Sequence, residues 1–148
     1  MPVMNSDFLI HAPDGTLAAA IDVKNHKSMS LRMAIELRRH KWSEGLLPPA
    51  DYYVLLSQDV GFIWAHQRDA GPDAPPSIEF STAAIIESYV PSLAAGARLD
   101  NAALELVVRA WLDDVNHQEH HADAVEQQLA RIGFLDAIRN GTWLWETV

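Results

Sequence analysis

Asp14-Gly15 lies between two short segments that read as strands, residues 7–12 and 16–24. An Asp-Gly step suits the two left-handed positions of a tight two-residue turn, so it ties the segments into an antiparallel hairpin. With that turn Pro13 faces Thr16. Counting outward, Ala12 faces Leu17, His11 faces Ala18, Leu9 faces Ala20 and Asp7 faces Asp22. Side chains alternate across a strand. One face then carries Leu9, His11, Ala18 and Ala20, with Asp7, Asp22 and Lys24 at its open end. The other carries Phe8, Ile10, Leu17, Ala19, Ile21 and Val23, a core face. A one-residue bulge would send the two carboxylates to opposite faces.

Two carboxylates directly across a strand pair repel and destabilise the hairpin by themselves. Lys24, two residues along the same face, relieves part of that repulsion, and a divalent cation relieves more. Hard cations such as Mg²⁺ bind through one or two carboxylates plus waters and substrate phosphates. The small Ala18 and Ala20 leave room beside the pair.

The rest of the chain predicts an α/β domain. Met29, Met33 and Leu37, broadened by Ala34 and Ile35, predict a helix over 29–42, capped by Ser28 or Ser30 and stopped by Gly45 and Pro48-Pro49. Residues 52–57 and 61–65 predict a second hairpin, 66–76 a loop, and 77–81 a short edge strand. Helices are predicted over 82–90, from an N-cap at Asp100, over 122–132 and over 134–139. Leu99, Ala103, Leu106, Val107, Ala110 and Trp111 form the apolar face of the second of these. Trp143 and Trp145 stand two apart, as on a strand face. The 148 residues are expected to form a single domain, with 77–148 a mostly helical extension.

Hydrophobic residues make up 49% of the chain, enough for one real core. There is no cysteine, which removes disulfides and thiolate metal sites. Residues 1–6 lack a basic start and an apolar run, and no stretch of 18 apolar residues exists, so no signal peptide and no membrane span are expected. A cytoplasmic location is the expectation. The net charge of −9 argues against a protein that grips nucleic acid over its whole surface. Residues 24–41 nonetheless hold six basic residues (Lys24, Lys27, Arg32, Arg38, Arg39, Lys41) against Glu36 alone, so any phosphate-binding face is local.

Asp7 at a strand start, the hairpin, and Ile21-Asp22-Val23-Lys24 at the end of the next strand resemble the PD-(D/E)XK nuclease superfamily. The following helix and strand match the family's order. Tyr52-Tyr53-Val54-Leu55-Leu56 through Phe62-Ile63-Trp64 looks like a bacterial branch of small members. The resemblance covers residues 6–65 and implies a restriction-endonuclease-like core, a mixed sheet of two hairpins flanked by helices. It also implies that Asp7, Asp22 and the Val23 carbonyl bind Mg²⁺ or Mn²⁺. Asp7, Asp22 and Lys24 would form the catalytic set, Lys24 orienting the attacking water, in metal-assisted phosphodiester hydrolysis. The literal Pro13-Asp14 pair belongs to the turn. His26, Lys27, Arg38, Arg39 and Lys41 are the candidate contacts to nucleic acid.

Family members usually carry a helix before this hairpin, often with a further acidic residue, and commonly another strand. Only six residues precede Asp7 here. That element is expected from the C-terminal helices or from a partner chain, a second copy included; otherwise it is lost. A non-catalytic accessory or protein-interaction module that retains the fold is the alternative function. His117, His120, His121 and Asp123 match no specific zinc spacing and read as a solvated linker. His11 reads as a packed, hydrogen-bonded histidine near the site. The five tryptophans read as core or interface anchors, Trp143 and Trp145 as candidates for a dimer or partner surface. There is no Gly-rich phosphate loop, nucleophile elbow or HExxH pattern.

Overall fold

The computed structural model describes residues 6–26, 28–92, 98–116 and 124–145. Strands β1 (Phe8–His11) and β2 (Leu17–Val23) form the first hairpin, and β3 (Tyr52–Leu56) and β4 (Val60–Ala65) the second. Helix α1 (Leu31–Ser43) crosses between β2 and β3, the parallel pair of the sheet. The edge strand β5 (Ile78–Ser81) and the helices α2 (Thr82–Tyr89), α3 (Asn101–Asn116), α4 (Ala124–Arg131) and α5 (Phe134–Ile138) follow. Strand β6 (Thr142–Trp145) then returns to pair antiparallel with β1. The six-stranded mixed sheet runs β5-β4-β3-β2-β1-β6. This is the expected α/β architecture of two hairpins with flanking helices and a C-terminal helical part. Among the described residues no helix is long and apolar enough to cross a membrane.

The helix boundaries follow from local chemistry. Ser30 caps α1, its Oγ accepting from the Met33 amide at 3.0 Å, and Ser81 caps α2 by the same bond to the Ala84 amide. Asp100 caps α3, accepting from the Ala103 amide at 2.7 Å.

Each face of the sheet buries its own core. One holds Phe8, Ile10, Ala19, Ile21 and Val23 against α2 to α5; the other holds Leu9, Ala20, Tyr53, Leu55, Phe62 and Trp64 on the side of α1. The buried stripe of α3 is Leu104, Val108, Trp111, Leu112 and Val115 with Val107. This corrects the predicted face, because Leu106 is 61% exposed. Residues 104–108 offer two overlapping apolar stripes, and packing on the sheet selects one. In α1 the deepest positions are Ala34, Arg38 and Lys41, four and three residues apart, while Met33, Ile35 and Leu37 pack only partly against the core.

The first turn is one residue longer than predicted. Ala12 pairs with Thr16, its amide donating to the Thr16 carbonyl at 2.8 Å, and Gly15 takes φ +89°. Asp14 Oδ1 accepts from both the amide and the hydroxyl of Thr16, which holds its carboxyl below the ordinary range. His11 therefore faces Leu17, and Leu17 joins the core of Leu9 instead of that of Ile10. The register then slips between Ile10 and His11, and Ile10 faces Ala19, Leu9 faces Ala20 and Phe8 faces Ile21. The longer turn and the bulge cancel, so the two carboxylates meet after all.

Candidate functional site

Asp7 sits just ahead of β1 and Asp22 at the far end of β2, and each holds the other's strand. The Asp7 amide donates to Asp22 Oδ1 at 3.3 Å, and the Val23 amide donates to Asp7 Oδ2 at 2.7 Å. The reciprocal bonds bring the two carboxylates together at the start of β1, just outside its pairing with β2.

Asp22 is buried at 2% exposure. Its Oδ2 accepts from Lys41 Nζ and from the Tyr53 hydroxyl, both at 2.5 Å. Lys41 also donates to Ser6 Oγ at 3.4 Å, and its ammonium lies 5.6 Å from the centre of the Tyr53 ring. An unpaired buried carboxylate is costly, and the Lys41 ion pair offsets that cost. Burial pushes the Tyr53 phenol well above its ordinary value, and the Asp22 charge adds to the shift. The phenol is therefore a fixed donor to Asp22.

Asp7 is partly buried, and desolvation raises its carboxyl above the ordinary value. The Val23 amide opposes that, the Asp22 charge adds to it, and Lys24 and Lys41 pull it back. Lys24 shares the face of Asp22 by strand alternation, and its amide extends the β2–β3 ladder onto the Leu56 carbonyl at 2.8 Å. The segment just past it is tied to the β3–β4 turn and to the residues just ahead of α3. Gln58 Nε2 donates to Asn25 Oδ1 at 2.6 Å and to the Leu99 carbonyl at 2.8 Å, and Arg98 donates to the Asn25 carbonyl. Glu105, on the first turns of α3, is raised by desolvation and then by the charge of Asp7, which places a third carboxyl within electrostatic reach of the pair.

The structure thus brings together Asp7, Asp22, Val23 and Lys24. It adds Lys41 and Tyr53, both bonded to Asp22. Lys41 was expected to line a nucleic-acid groove; it is instead buried in the site as the partner of Asp22. Arg38, expected beside it, has no exposure at all. Its guanidinium donates to Gln67 Oε1 at 2.9 Å and to the carbonyls of Gly71 and Ala70, and it lies 5.5 Å from the centre of the Trp64 ring. It fastens the 67–74 loop to α1 and meets no ligand. Arg39 is on the surface, paired with Asp73 at 2.5 Å, and His26 is exposed at the rim past Lys24. Lys27 and the cluster of His117, His120, His121 and Asp123 lie outside the described residues, as do the side chains of Trp143 and Trp145.

One signal for Lys41 was present. Ala34, Arg38 and Lys41 fall on one helical stripe, and a charged pair on a buried stripe points to interior partners. Glu105 carried no signal in the linear sequence, because its place is set by how α3 packs beside the hairpin.

Two carboxylates and a neighbouring carbonyl are a donor set for a hard cation. The Lys41 ammonium on Asp22 Oδ2 shows that this oxygen takes a positive partner, and a metal ion would have to replace it there. Among the described residues no three His, Cys, Asp or Glu side chains group closely enough to hold a metal ion by themselves. Such a site takes its remaining ligands from water and substrate, as Mg²⁺ sites usually do. No family model matches the chain, and no curated protein and no solved structure matches it.

Proposed function

We propose that the chain is a metal-dependent phosphodiester hydrolase of the PD-(D/E)XK type. The observation that carries this reading is the meeting of Asp7 and Asp22 at one strand end, with Lys24 next along the same face. Asp7, Asp22 and the Val23 carbonyl would hold Mg²⁺ or Mn²⁺. The ion, when bound, polarises a phosphoryl oxygen and acidifies a water.

The chain's own residues supply the rest. Lys24 orients the attacking water and offsets the charge that grows on the phosphoryl oxygens. Tyr53, held protonated, keeps the Asp22 carboxylate in one orientation. The exposed His26 and Arg39 are the described candidates to meet a nucleic-acid backbone, with Lys27 between them in sequence.

A second reading, a module that keeps the fold and acts through protein contacts, is favoured by the closed state of Asp22, whose Oδ2 is already filled by Lys41 and Tyr53. Hydrolysis of single-stranded and duplex DNA and of RNA with Mg²⁺ or Mn²⁺ separates the two. The nuclease reading expects cation-dependent cleavage that falls by at least about a hundredfold in Lys24→Ala and in Asp22→Asn. No cleavage of any substrate, or cleavage equal in wild type and both variants, contradicts it.

A further inference from the structure

Lys41 sits where its ammonium and a divalent cation cannot both hold Asp22 Oδ2. That oxygen already accepts two donors at 2.5 Å, and one of them, the Tyr53 hydroxyl, is anchored on a fully buried ring. The Asp7 amide occupies the other oxygen of the carboxylate. Of the two donors on Oδ2, Lys41 is the one carried on a long aliphatic stem, which reaches in from α1.

We propose that Lys41 is the resident counter-ion of the Asp22 site, an internal competitor that a divalent cation must displace from Oδ2. This rests on the cation-site reading above and goes beyond it, since it assigns the affinity of the site to a residue that is not a ligand. While Lys41 is in place, Asp22 is charge-paired and the hairpin end is stable without metal. When a cation enters, the Lys41 ammonium gives up Oδ2, so cation occupancy and the Lys41–Asp22 ion pair are one equilibrium.

Two variants test it, both with Mn²⁺ alone as the probe. Lys41→Met removes the ammonium and keeps the stem, and Lys41→Gln keeps a polar contact without the charge. Mn²⁺ binding is followed by electron paramagnetic resonance, and melting temperature is measured with and without Mn²⁺. The expected result is Mn²⁺ binding at least about tenfold tighter in both variants than in wild type, in line with the coupling of close charge pairs. Both variants should also melt lower than wild type without metal, and Mn²⁺ should restore them more than it raises wild type.

Equal affinity in wild type and variants, or weaker affinity in the variants, overturns the role of Lys41 and leaves the cation site standing. No Mn²⁺ binding in any of the three proteins, with a lowered melting temperature that Mn²⁺ does not restore, overturns the cation site itself and leaves Lys41 as a structural ion pair. Asp22→Asn combined with Lys41→Met should bind no Mn²⁺; binding in that double variant overturns Asp22 as the shared partner.

Discussion

Individual side chains at the hairpin end hold more charge than the fold requires. Asp7 is the clearest case, because burial raises its carboxyl above the ordinary value of 3.8. The folded chain therefore keeps a proton that the unfolded chain releases, and stability falls as pH rises from the ordinary value through the raised one. Asp7→Asn keeps an acceptor for the Val23 amide and removes the charge beside Asp22. It should melt above wild type at pH 7, with the gap closing as pH falls toward 4, while losing cation binding. Thermal melts at both pH values check this, and a variant less stable than wild type at pH 7 would contradict it. Arg38 is the opposite case, a charge spent wholly on structure. Arg38→Ala leaves Gln67 and the carbonyls of Ala70 and Gly71 without their donor and should cost about 3 kcal/mol in urea unfolding.

The secondary-structure elements were legible in the sequence where local chemistry decides them. Ser30, Ser81 and Asp100 cap helices by bonds within three residues, and Asp14-Gly15 marks a turn that needs a left-handed position. What was not legible is set between elements. The extra turn residue and the compensating slip at Ile10 and His11 go with Leu17 packing in the cluster of Leu9, across the sheet from Ile10. The apolar stripe of α3 and the burial of Arg38 and Lys41 in α1 are likewise fixed by what lies across from them. Asp7 and Asp22 were legible as a pair; of their neighbours, Lys41 showed only through its helical stripe and Tyr53 not at all, since each arrives from a different element. At Gly61 the approach of β5 leaves no room, as an added Cβ would lie 2.3 Å from Phe80 Cζ and 2.7 Å from Leu56 Cδ2. Phe80 is packed beside Trp111, so Gly61→Ala should lower stability by about 1–3 kcal/mol, read from chemical denaturation.

Across the whole molecule the two ends of the chain close one sheet. β6 pairs with β1 from Phe8↔Trp145 to His11↔Thr142, so the strand that begins beside Asp7 is an interior strand. The sheet face away from α1 is covered by α2 to α5 of the same chain, and α3 brings Glu105 toward Asp7. Removing residues 141–148 would expose the hydrogen-bonding edge of β1, and the shortened chain should lose cooperative unfolding or aggregate, seen by circular dichroism and size-exclusion chromatography. The account as a whole depends on the two carboxylates acting on one cation. Titrating Mn²⁺ into wild type and into folded Asp22→Asn, with free Mn²⁺ read by electron paramagnetic resonance, tests that directly. The account predicts saturable binding in wild type that the variant loses; wild type without saturable binding, or a variant that binds as well, would contradict it.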